Sequence, residues 1–264
     1  MYRAIVLAQL LLVFGVNSNI VAEEQSHWTI TKYIQTSFVE IALNNEHSAK
    51  KSNVRKWIKP IRYFFVHRVA DEQLHENLAG MHLQHLSAIT GIDIQPVNRK
   101  QEANLLIVFS TEMRLEKELL SEFHLKSKKL RTQLFRSSVC LAHFSINSDS
   151  SIRKAIVIIP VDRARARAKL VSCIVEELTQ VMGLPNDSDQ VFPSIFNDKS
   201  PDELLTGLDY LLLKLLYEPR LKVNMSKARV NVTVAKILTE YERNGVISQA
   251  EEQVKKGELY SLLY

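Results

Sequence analysis

The chain has 264 residues, with 34 lysines and arginines against 29 acids, a formal charge of +5. That excess is too mild for a nucleic-acid binder. Its basic clusters, residues 126–131 and Arg163-Ala-Arg165-Ala-Arg167-Ala-Lys169, lack interleaved aromatics and read as solvated helix faces.

Residues 1–22 read as an export leader: Arg3 is the positive start, residues 4–16 form an apolar core, and Ala22 ends a small polar finish. The apolar run is shorter than the roughly 20 residues that span a bilayer. No later stretch spans one either, because residues 204–217 are short and carry Asp209 and Lys214. The mature chain, 23–264, is expected to be one exported domain, periplasmic or secreted. It divides into a sheet and helix part to about residue 183 and a helical part from 184 to 264.

Helical spacing covers 29–44, with Ile30, Tyr33, Ile34, Phe38 and Ile41 on one side. Residues 48–53 are a polar break, and 54–66 are rich in strand formers. A second helix covers 71–90, closed by Gly91. Residues 92–97 and 104–110 are short strands, and 111–137 are helical in part. Strands return at 139–146 and 155–161. A central helix follows at 163–183, then an irregular loop at 184–200. Three helices finish the chain at 201–217, 226–244 and 247–262. Strands and helices mixed early, with helices alone later, give an α+β class: a twisted mixed sheet with packed helices. The two cysteines, Cys140 and Cys173, favour one disulfide in an oxidising compartment over two free thiols.

The central helix carries the chemistry. At 100° per residue, Val171, Ile174, Val175, Leu178, Val181 and Met182 form one apolar stripe. Glu176 and Gln180 lie one turn apart on the polar side. Residues 173–187 have the rhythm of the zinc-peptidase pattern H-E-x-x-H-x-x-G-x-x-H. Glu177 and Gly183 stand in the glutamate and glycine places, and Glu176, Gln180 and Asn186 stand in the three histidine places. Such a site needs imidazoles converging on zinc and a glutamate reaching the bound water. Gln180 and Asn186 offer only neutral amide oxygens, so zinc is not expected. Without a metal to lower the pKa of water, Glu177 is a poor general base. Glu176, Asp187 and Asp198 are a possible oxygen set for calcium, magnesium or manganese. His75, His82 and His85 share one helix, which raises a surrogate metal site, with polar-face histidines the simpler reading.

Residues 54–217 resemble the metzincin-type peptidases. The turn Ser194-Ile195-Phe196 puts Phe196 in the place of their turn methionine beneath the site, and the helix with Asp209 and Leu216-Tyr217 follows. A closer resemblance is to the exported bacterial family called domain of unknown function 2927. It rests on Trp57-Ile58-Lys59-Pro60-Ile61-Arg62, the run 173–187, residues 194–198 and the stretch 209–221. The resemblance implies a zincin-like fold in which Glu-Glu-x-x-Gln is a family feature, and it implies no activity. The function expected is a pseudopeptidase without zinc ligands, whose cleft binds a peptide, an envelope polymer or a partner protein. The alternatives are a hydrolase using Glu177 as general base with an atypical metal site, and a structural envelope-assembly module.

Overall fold

Among the described residues, five strands form one sheet in the order β2-β1-β3-β5-β4: β1 Ile61–His67, β2 Ile94–Pro96, β3 Leu105–Ser110, β4 Leu141–Ile146 and β5 Ile152–Pro160. The computed structural model describes residues 27–44 and 53–264, so the expected leader and its cleavage site lie outside the described residues. The first four strands in spatial order run parallel, with Tyr63 beside Leu105 and Ile107 beside Val157. β4 runs antiparallel to β5 at the sheet edge, with Phe144 opposite Ala155. Parallel strands are covered on both faces, which explains the unbroken apolar runs Leu105–Phe109 and Ile156–Ile159. Ile107, Phe109, Val157 and Ile159 point into the larger core, whereas Val66, Val108 and Ile158 point into a smaller one.

The smaller core is closed by α3 (Leu115–Ser121), through Leu115 and Leu119, and by α4 (Lys128–Ser137). The larger core is covered by α2 (Glu72–Thr90) and α6 (Leu170–Gln180). Behind them, α7 (Gly207–Tyr217) buries leucines on every side and packs against α2 and α1 (Thr31–Leu43). A helix apolar all round belongs in the interior of a core. α8 (Lys227–Arg243) lies on α1, α9 (Ala250–Val254) on α7 and α10 (Glu258–Leu263) on α2. The residues before and after 183 thus share one apolar core. Among the described residues no helix is long and apolar enough to cross a membrane.

Four elements differ from the sequence expectation. Strand β1 starts at Ile61, not 54; the residues before it are irregular, with one bridge between Lys56 and Ser151. Trp57 on this segment is fully buried. The central helix is two helices, α5 (Val161–Ala166) and α6, separated by Ala168 at φ 53°. Arg163 in the first of them is buried rather than solvated. Its guanidinium donates to the carbonyls of Phe135 and Ser138 and to the Glu112 carboxylate. The helix expected from 201 starts only at Gly207, where Thr206 and Asp209 form a reciprocal capping box. The final helix splits before Gly257, whose Cα lies too close to the His85 ring for any side chain.

Candidate functional site

Helix α6 is fixed at both ends and along its inner face. Cys173 in its first turn is disulfide-bonded to Cys140 beside β4, with a Cα separation of 5.9 Å. Closing a loop of this size adds about 4 kcal/mol in the chain-entropy account. Ile174, Val175 and Leu178 face inward and are fully buried. Thr179 meets His82 of α2, with its Oγ1 2.9 Å from the imidazole Nε2. At the far end the last carbonyls need partners. Trp57 Nε1 donates to the Val181 carbonyl at 2.8 Å, and the Tyr217 hydroxyl donates to that of Met182 at 2.9 Å. Gly183 follows at φ 116°, and a Cβ there would sit 2.1 Å from the Arg55 carbonyl oxygen. Only glycine fits that approach.

The polar face of α6 is the floor of a cleft of about 340 Å³. Glu176, Glu177 and Gln180 line it, with Glu177 only 7% exposed. One wall is the outer strand β4 from Leu141 to Phe144. Arg55, Lys169, Asp187 and Asp198 line the cleft as well. The disulfide joins floor to wall, since both Cys140 and Cys173 line the cleft.

The three residues in the histidine places do not converge. Gln180 Nε2 donates to the Asp187 carboxylate at 2.8 Å. Asn186 is buried and turns to the end of α1, where its amide donates to the Glu40 carbonyl at 3.1 Å and its backbone N–H to that of Ile41. Asp187, one residue later, faces the cleft in its stead. A tetrahedral zinc site needs donors that meet at about 2.0–2.3 Å from one point. A glutamine engaged as a donor and an asparagine capping another helix do not fit zinc. Glu176, Asp187 and Asp198 share the cleft, but among the described residues no three His, Cys, Asp or Glu side chains are grouped to hold a metal ion. The histidines of α2 also diverge: His82 meets Thr179, His85 abuts Gly257, and His75 stacks on Phe109 at 4.7 Å.

The turn Ser194-Ile195-Phe196 is held by Asp209, which is fully buried. Its carboxylate accepts from Ser194 Oγ at 2.6 Å, Ile195 N at 3.1 Å and Thr206 N at 2.8 Å. Burial still outweighs those bonds and raises its pKa to about 6. Phe196 is completely buried in the main core, so the turn is a packing element. Asp198, two residues on, is the part of this loop that reaches the cleft.

Sequence reasoning missed Arg55 and the β4 wall. Arg55 carries no motif; for β4 the signal available was the expected disulfide, which places Cys140 against the central helix. Arg55 arches over the Phe144 ring, 5.4 Å from its centroid, and burial pulls its pKa down.

The family model described as a protein of unknown function, DUF2927, matches residues 31–236, which span α1 to most of α8 and the whole cleft. The chain belongs to that family. No curated protein matches the chain.

Proposed function

We propose that this member of the DUF2927 family is an exported, zincin-like pseudopeptidase whose cleft holds an extended peptide segment without cutting it. The observation that carries the reading is the cleft itself, with an edge strand for one wall and the polar face of α6 for its floor. An edge strand presents main-chain donors and acceptors that an added strand can pair with. Glu176, Glu177 and Gln180 then face the side chains of the segment, in a cleft within the usual size range of binding sites. The zincin-like reading draws on the helix, the Gly183 turn and the antiparallel edge strand beside them. The disulfide suits an oxidising compartment, which favours export.

The test is titration of the mature chain with an N-acetylated random hexapeptide library, followed by amide chemical shifts. Binding should move the signals of Ala142, His143 and the polar face of α6, and Ala142→Pro should weaken it about tenfold, as expected for lost strand pairing. Shifts confined to another surface would defeat the proposal.

A second reading is favoured by the burial of Glu177 at the cleft floor, an environment that suits a general base. In that case the same library is cleaved during incubation, and Glu177→Gln abolishes the cleavage products seen by mass spectrometry.

A further inference from the structure

Among the described residues, Arg55 differs from the other shielded arginines in that its guanidinium makes no hydrogen bond at all, whereas Arg163 leaves only its Nε unpaired. Arg62, Arg114, Arg131 and Arg163 are buried or half-buried, and each guanidinium is engaged by a carbonyl or a carboxylate. Arg55 is half-buried too, yet its Nε and Nη2 are shielded from solvent and have no hydrogen-bond partner. Buried donors in native proteins are nearly always paired, so an unpaired fork on a residue that lines the cleft calls for an explanation. The guanidinium cannot escape by deprotonating, because it keeps its charge at any ordinary pH.

Its surroundings define what would satisfy it. The guanidinium carbon lies over the ring of Phe144 on the wall strand, 5.4 Å from its centroid. Its backbone is pressed against Gly183, which fixes its position at the end of α6. A planar fork of this kind matches a carboxylate, with two parallel N–H donors to two oxygens. A dianionic phosphate is less suited, because Glu176, Glu177, Asp187 and Asp198 line the same cleft. The shielded position makes the pairing stronger than one on an open surface.

We infer that Arg55 is the specificity determinant of the cleft and recognises a carboxylate of the bound segment, either the chain-end carboxylate or an aspartate or glutamate side chain within it. This inference rests on the extended-peptide reading of the same cleft. The acids on the floor then meet the rest of the segment and disfavour additional negative charge. Ligands of the cleft are therefore peptides with a single carboxylate held at the Arg55 end.

The experiment uses the mature chain and four N-acetylated hexapeptide libraries: with or without Asp and Glu, each with a free or an amidated C terminus. The amidated library without Asp and Glu, which has no carboxylate, should bind at least about tenfold more weakly than the best of the others, the range expected for a charge-assisted pair. The arm that retains affinity identifies the carboxylate as chain end or side chain. Arg55→Gln should bind all four libraries alike, and Arg55→Lys, which keeps the charge without the fork, should restore only part of the preference. Urea unfolding of both variants checks that they fold. Equal binding of all four libraries to the wild type, with cleft signals moving, overturns the role of Arg55 and leaves peptide binding standing. A preference that persists in Arg55→Gln also overturns it. If no library moves the cleft signals, the peptide reading fails and the Arg55 inference falls with it.

Discussion

Asp209 and Arg55 are two shielded charges in one domain, treated in opposite ways. Asp209 is fully buried and accepts from Ser194, Ile195 and Thr206, so its donors and its own oxygens are matched within the fold. Arg55 is half-buried, yet two of its donors have no match. Matching is what a structural charge requires, because an uncompensated buried partner costs several kcal/mol. The Asp209 hub is thus a fixed joint between the turn at 194–196 and α7. Mismatch at a cleft wall is what a binding group shows when its partner comes from outside the chain. The contrast separates scaffold from site in a protein whose motif alone left the two mixed.

Four measurements can break or sharpen that contrast. The largest effect is expected from Gly183→Ala, where the new Cβ meets the Arg55 carbonyl at 2.1 Å and the backbone sits at φ 116°. Both strain and overlap act together, and urea unfolding should register a loss of about 5 kcal/mol. A loss below about 1 kcal/mol would mean that the segment carrying Arg55 is not pressed against the end of α6.

Asp209→Ala should lose about 4 kcal/mol, because it strands three donors in the core. A loss near 1 kcal/mol would put Asp209 in the same class as Arg55 and erase the contrast.

Acid should weaken the fold through its shielded histidines. Burial lowers His82 to about 3 and His85 to about 4. Both stay neutral in the fold and gain a proton on unfolding, so their stabilisation is complete above pH ~6.5 and lost as the pH falls. Asp209 opposes this. Its carboxyl, raised to about 6, retains a proton between pH 4 and 6 that the unfolded chain releases, so its own contribution grows as the pH falls. Two uptakes against one release leave a net fall of at least about 1.4 kcal/mol per pH unit between pH 6 and 4, to which His75 and His143, also lowered by burial, add in the same direction. Urea midpoints at several pH values measure the slope. His82→Gln should remove about that much from it, and a flat profile in the wild type would show that the imidazole is not shielded.

The smallest effect is expected at Arg55 itself. Arg55→Met keeps the packing over Phe144 and removes two unmatched donors. Stability should change by less than about 1 kcal/mol, in either direction. Arg163→Met, which strands the Phe135 and Ser138 carbonyls and Glu112, should lose about 3 kcal/mol in the same assay. Equal losses at the two arginines would mean that Arg55 is held by the fold after all.

Local pattern carried much of the fold. The apolar stripe of α6, the strand runs at β3 and β5 and the helix closed by Gly91 all follow from side-chain periodicity, which burial imposes directly. The break at Ala168 was not legible, because nothing local forbids a continuous helix there and no glycine marks the left-handed residue. At the site, the sequence alone determined that Glu176, Glu177 and Gln180 share a helix face, because helical geometry fixes their angles. It also determined that residue 183 must be glycine-like. Where Asn186 turns was a tertiary decision, since the end of α1 offers its amide a carbonyl that the cleft does not. The arrival of Arg55 and β4 at the same cleft was another. The pairing of Cys140 with Cys173 was legible from the two cysteines, but the main-chain packing of Arg55 against Gly183 joins segments far apart in the chain, and no spacing rule in a sequence encodes that meeting.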